Sequence, residues 1–123
     1  MMRIKINRIL GDTIWFKSEQ GEGRAQWDGP PPKVGNIYNV EIDLPGRLQW
    51  GTDIIPTLQT ECVIKLTNKI VNLFGKIESI ETDGVCYMRF GDDLVALEAY
   101  GTPPNNVVYI MVSAKNLVLY NVY

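Results

Sequence analysis

The pattern that decides the fold lies at residues 38–51, which read YNVEIDLPGRLQWG. Apolar side chains at positions 38, 40, 42 and 44 alternate with polar side chains at positions 39, 41 and 43. Successive side chains of a strand point to opposite faces, so this alternation predicts a strand with one buried and one solvent-exposed face. Pro45-Gly46 signals a turn, after which Leu48 and Trp50 resume the alternation. The stretch therefore predicts a β-hairpin whose exposed residues are Asn39, Glu41, Asp43 and Arg47.

Short segments of the same kind recur along the chain and are separated by Gly, Pro, Asn and Asp. Three successive prolines at positions 30–32 exclude a helix there, and the best helical candidate is a single turn near residues 51–58. The chain is therefore predicted to be all-β, with little or no helix. Besides the hairpin, strands are predicted at residues 3–9, 13–17, 24–28, 61–67, 70–81, 85–90, 94–99, 107–112 and 117–122.

The two halves of the chain align when the sequence is shifted against itself by 71 to 72 residues. The aligned pairs include Ile6 with Ile77, Phe16 with Tyr87, Gly29 with Gly101, Val40 with Val112 and Trp50 with Val122. This offset predicts an internal repeat of two tandem five-stranded antiparallel barrel units at residues 1–56 and 61–123, the second packed against the first. One composite β-barrel is the alternative.

The order of the turns, and a glycine before the fourth strand, give each half a resemblance to an OB-fold or SH3-like barrel. Residues 72–122 also resemble the small β-barrel modules that bind molybdate in transport proteins, through Asn72–Ile77 and Ser113–Leu119. A Gly-Pro-Pro loop stands where those modules have helical and anion-contacting residues. The resemblance therefore implies the barrel fold and does not extend to molybdate.

Composition is that of a globular protein: 123 residues, 46% apolar and 21% charged, with a formal net charge of −2. No apolar run approaches the roughly 18 residues that span a bilayer, and Met1 to Asn7 lacks the apolar core of a signal peptide. We expect a cytoplasmic protein without a membrane partner, in which Cys62 and Cys86 are reduced, buried thiols. Neither half has the basic excess typical of nucleic-acid binding.

The chain contains no histidine, so Ser-His and Cys-His nucleophile pairs are excluded. Phosphate-binding loops, paired Cys-x-x-Cys motifs and EF-hand spacing are also absent from the sequence. Glu41 and Asp43 share one strand face and offer an acid/base pair or ligands for a hard cation such as Ca²⁺. A solvated strand face is the better explanation, because carboxylates are common on the exposed faces of strands. We therefore expect no enzyme, no cofactor and no metal.

Aromatic residues concentrate in the first half of the chain. Trp27 and Trp50 are predicted to fill the core, whereas Trp15 points outward if Phe16 packs inward. These patterns predict a non-catalytic protein of inhibitor or immunity type that engages a protein partner through an aromatic and acidic strand face. The predicted contact residues are Trp15, Asn39, Glu41, Asp43 and Arg47. The alternative is an OB-type single-stranded nucleic-acid-binding protein, with Arg3, Lys5, Lys17, Arg24 and Arg47 near the aromatics.

Overall fold

The computed structural model describes residues 1–122, in which the chain forms twelve β-strands and no helix. The prediction of an all-β fold is confirmed. No helix within this range is long and apolar enough to cross a membrane. The strands are β1 (Met2–Leu10), β2 (Thr13–Ser18), β3 (Gly21–Asp28), β4 (Ile37–Asp43), β5 (Arg47–Gln49), β6 (Ile54–Pro56), β7 (Val63–Thr67), β8 (Ile70–Ile80), β9 (Val85–Phe90), β10 (Asp93–Tyr100), β11 (Tyr109–Ala114) and β12 (Val118–Asn121).

A closed five-stranded barrel is built from β1, β2, β3, β12 and β4, in that order around the wall. Neighbouring strands run antiparallel except β12 and β3, which run parallel and close the ring. Side chains that alternate inward along β1 are fully buried, as at Ile4 and Ile6. Closure leaves this barrel without an open sheet edge around most of its wall.

The second half of the chain forms a related arrangement around β8. On one side β8 pairs with β11, which in turn pairs with β6. On the other side β8 pairs with β9, and the order continues through β10 to β5. A single bridge between Trp50 and Ile54 connects β5 to β6. Strand β7 pairs with β8 and meets β3 at Gly21 and Ile64, which joins this group to the first barrel.

The predicted hairpin at residues 38–51 is wrong. Strand β4 pairs with β1 and β12, whereas β5 crosses to the other group and pairs in parallel with β10. Strand β12 thus occupies the position beside β4 that the hairpin assigned to β5. The alternation correctly marks which side chains are buried, including Leu44 and Leu48, but alternation does not specify the neighbouring strand.

The two groups share their pairing register at nearly the same offset that the sequence showed. Tyr38 lies opposite Ile4 and Ile110 lies opposite Gly75, and both β1 and β8 have an irregularity at the corresponding place. This agreement is what a repeat would produce, and the repeat itself stays a prediction. The division at residues 56 and 61 also stays a prediction, although the strand pairing crosses it in both directions.

The core is apolar and continuous across both groups. Trp27 and Trp50 are buried as predicted, and the indole of Trp27 donates a hydrogen bond of 2.8 Å to the carbonyl of Pro30. The ring of Tyr38 meets Trp27 edge-on with centroids 5.1 Å apart. Both cysteines are free: Cys86 is buried and Cys62 is partly buried. Burial raises the pKa of the Cys86 thiol to about 11.

Leu119→Ala tests the position of β12 between β3 and β4, because this fully buried side chain lies opposite Trp27. The substitution should lower the free energy of unfolding by about 2–5 kcal/mol. It should also reduce hydrogen-exchange protection of the Gln26 amide, which donates to the carbonyl of Leu117 at 2.8 Å. Leu94→Ala, at a half-exposed leucine, is the control and should cost less than about 0.5 kcal/mol. Loss of hydrogen-exchange protection in β10 or β11 instead of β3 would contradict this position of β12.

Cys86 gives the protein a specific loss of stability at alkaline pH. Its thiol ionises near its ordinary value of 9.0 in the unfolded chain and near 11 in the folded chain. Between these values the unfolded chain binds fewer protons, so the free energy of unfolding falls as the pH rises. Urea unfolding of the wild type and of Cys86→Ala across this window measures the difference. The variant should show the shallower decline, and equal slopes would rule out a contribution from this thiol.

Candidate functional site

The five residues predicted as a single contact surface lie in three separate places. Asn39, Glu41 and Asp43 lie on the outer side of β4, where Asn39 and Glu41 are exposed and Asp43 is partly buried. Trp15 lies on β2, on the far side of β1 from β4. Arg47 is exposed on β5, in the second strand group.

The outer side of β4 continues across β12 to β3 and gathers three carboxylates around one tyrosine. Tyr120 lies opposite Glu41 on one side and opposite Asp28 on the other. The Tyr120 hydroxyl is 3.5 Å from Oδ2 of Asp43, and the tyrosine side chain is 39% exposed. We call these four residues the acidic face. Sequence reasoning found Glu41 and Asp43 but missed Tyr120 and Asp28. These four residues come together only because β12 lies between β3 and β4.

Within residues 1–122, no ion pair involves a carboxylate of the acidic face. The ion pairs in this part of the chain join the Met1 amino group to Asp93 and Arg89 to Glu78. The environment raises the pKa of the Tyr120 phenol, through desolvation and through the negative charges of Asp43 and Asp28. A cleft of about 420 Å³ runs beside this tyrosine and is lined by Asp12, Gln26, Trp27, Asp28, Gly29 and Val118.

Trp15 belongs to a second cluster, on the outer side of β1, β2 and β3. Arg8 and Arg24 are its cross-strand neighbours, one on each side. The Arg8 guanidinium lies 4.4 Å from the centre of the indole ring and that of Arg24 lies 5.6 Å from it. We call these three residues the Arg-Trp-Arg row. Such cation–π contacts favour the planar guanidinium, which stacks on an aromatic ring.

Arg24 is held in this row by few polar contacts. Its Nη1 donates a long hydrogen bond of 3.5 Å to the carbonyl of Lys69, and its buried Nε has no hydrogen-bond partner in the described chain. Neither Arg8 nor Arg24 takes part in the ion pairs of residues 1–122. Two guanidiniums without an ion-pair partner in this range thus share one ring.

Arg47 is separated from the other predicted residues because β5 crosses to β10. Its guanidinium lies 4.4 Å from the centre of the Tyr100 ring. Within residues 1–122, no group of three or more His, Cys, Asp and Glu side chains is arranged to hold a metal ion.

Comparison with known proteins gave no match to a family model, to a curated protein or to a solved structure.

Asp43→Asn tests the electrostatics of the acidic face. Removing this negative charge should lower the pKa of the Tyr120 phenol toward its ordinary value, because a nearby carboxylate disfavours the phenolate. Nuclear magnetic resonance of ring-labelled tyrosine during a pH titration measures the change, with Tyr120→Phe to assign the signal. Glu98→Gln, at an exposed carboxylate on β10, is the control and should leave the titration unchanged. An Asp43→Asn titration identical to the wild type would place the phenol outside the influence of Asp43.

Proposed function

We propose that this chain is a non-catalytic binding protein that engages a protein partner through its acidic face. The observation that supports this proposal is the exposed Tyr120 between Asp28 and Glu41, with the Asp43 carboxylate 3.5 Å from its hydroxyl. Tyrosine is enriched at protein interfaces because an apolar ring and a polar hydroxyl occupy one rigid side chain. The acidic face therefore has both an anchor and a charge that selects the partner.

The partner proposed here presents a basic surface. Carboxylates that lie side by side on a sheet repel each other, and a lysine or arginine from a partner relieves this repulsion. The cleft beside Tyr120 has room for such a side chain and is bordered by Asp12 and Asp28. Complementary charge also increases the association rate at low salt.

The absence of histidine supports a protein without acid/base catalysis at neutral pH, and the small size and net charge of −2 suit an inhibitor or immunity-type protein. Cytoplasmic location is part of the same proposal. It is supported by the two free cysteines, which are typical of a reducing compartment.

Affinity capture with paired variants tests this function. The wild-type chain, immobilised and exposed to extract from its host, should retain a basic protein. Tyr120→Ala should weaken that complex by about 2 kcal/mol or more, since a central interface tyrosine is a typical hot spot. Glu41→Lys should slow association, with the largest difference at low salt.

Glu19→Lys is the matched control, because it makes the same change of charge at an exposed turn outside the acidic face. Circular dichroism checks that each variant remains folded. A partner that binds Tyr120→Ala and Glu41→Lys as tightly as the wild type would refute the acidic face as the contact. Equal weakening by Glu19→Lys would reduce the effect to net charge alone.

A further inference from the structure

The charges of this chain are unevenly distributed over the first barrel. The outer side of β1, β2 and β3 holds five of the 12 lysines and arginines, namely Arg3, Lys5, Arg8, Lys17 and Arg24. Glu22 is the acidic residue among them, whereas Asp28 at the end of β3 belongs to the acidic face. A net charge of −2 therefore conceals a strongly basic surface, which we call the basic face.

The Arg-Trp-Arg row lies within the basic face and has an incomplete set of partners. Two guanidiniums approach one indole ring at 4.4 and 5.6 Å, and neither has a carboxylate partner in residues 1–122. The buried Nε of Arg24 also has no acceptor. An anion placed beside the two guanidiniums would reduce their mutual repulsion and accept hydrogen bonds from their solvent-accessible N–H groups.

We propose that the basic face binds single-stranded nucleic acid, with phosphates held by its cations and a base stacked on the Arg-Trp-Arg row. Outward side chains two residues apart on a strand are about 6.6 Å apart, so the cations form a strip that follows a flexible backbone. Guanidinium and indole groups are planar and can stack with an unpaired base, whereas a carboxylate of an acidic protein has no ring to stack. Paired bases inside a duplex are not available for this contact.

A polar cleft next to Arg24 extends the basic face. It has a volume of about 240 Å³ and is lined in part by Thr13, Gln26, Lys115 and Asn116. Hydroxyl, amide and ammonium groups donate hydrogen bonds to phosphate and sugar oxygens. Asp12 also lines this cleft, so an anion fits best on the side nearer Arg24 and Lys115.

Fluorescence anisotropy with this chain and a labelled oligothymidine of about 20 nucleotides tests this site, starting at about 25 mM salt. The wild type should bind, and the affinity should fall steeply as the salt concentration rises. Arg24→Ala should weaken binding about tenfold and lower the salt slope by about one. Arg24→Lys keeps the charge but lacks the planar group, so it should recover the slope and only part of the affinity.

Lys33→Ala is the control, because this exposed lysine precedes β4 and lies outside the basic face. Lys33→Ala should bind like the wild type. Glu41→Lys should bind as tightly as the wild type or more tightly. A wild type that does not bind at low salt would overturn the inference, as would wild-type affinity in Arg24→Ala. Equal affinity for a duplex, or for polyglutamate, would also overturn it, the latter in favour of an acidic protein. These results are independent of the acidic face and its protein partner.

Discussion

Parallel pairing of β12 with β3 closes the first barrel, and the outer surface of that barrel takes its arrangement from this contact. Leu119 is fully buried opposite Trp27, and the Gln26 amide donates to the Leu117 carbonyl at 2.8 Å. Without β12, both β3 and β4 would have an open edge with unpaired backbone groups. In the second group, β5 pairs in parallel with β10 and covers the edge of β10 that β9 leaves open. Each group therefore depends on a strand from the other half of the sequence.

Sequence alternation was enough to predict most of the strands and the direction in which their side chains point. It missed β6, which lies in the segment near residues 51–58 that was the best helical candidate. Trp27 and Trp50 are buried and Glu41 is exposed, as the period of two required. The identity of each neighbouring strand was beyond this signal, because any strand with the right buried face satisfies it. Trp15 was accordingly grouped with the acidic residues of β4, although its cross-strand neighbours are arginines. The aromatic residue that lies among those acidic residues is Tyr120 of β12.

The opposite charges on the two faces of one barrel explain why overall composition was a poor guide to binding. The net charge averages over the surface, whereas a ligand responds to the local field within about one Debye length, roughly 8–10 Å. The strand order also separates the two signs, because the cations of the basic face lie on β1, β2 and the first half of β3, whereas the carboxylates of the acidic face lie on β4 and at the end of β3. Arg24 and Tyr120 thus belong to surfaces with different chemistry on the same small scaffold.

The pairing of β5 with the second group and of β12 with the first group also has a consequence for biosynthesis. The ribosome releases β1 to β4 long before β12, since all of the second group is translated in between. Until then the nascent first half has exposed apolar strands and no partner for the second edge of β3, which is a state prone to aggregation. Pairing across such a long sequence separation also slows folding, because closing a large loop has an entropic cost. The first barrel can therefore close only after β12 has left the ribosome.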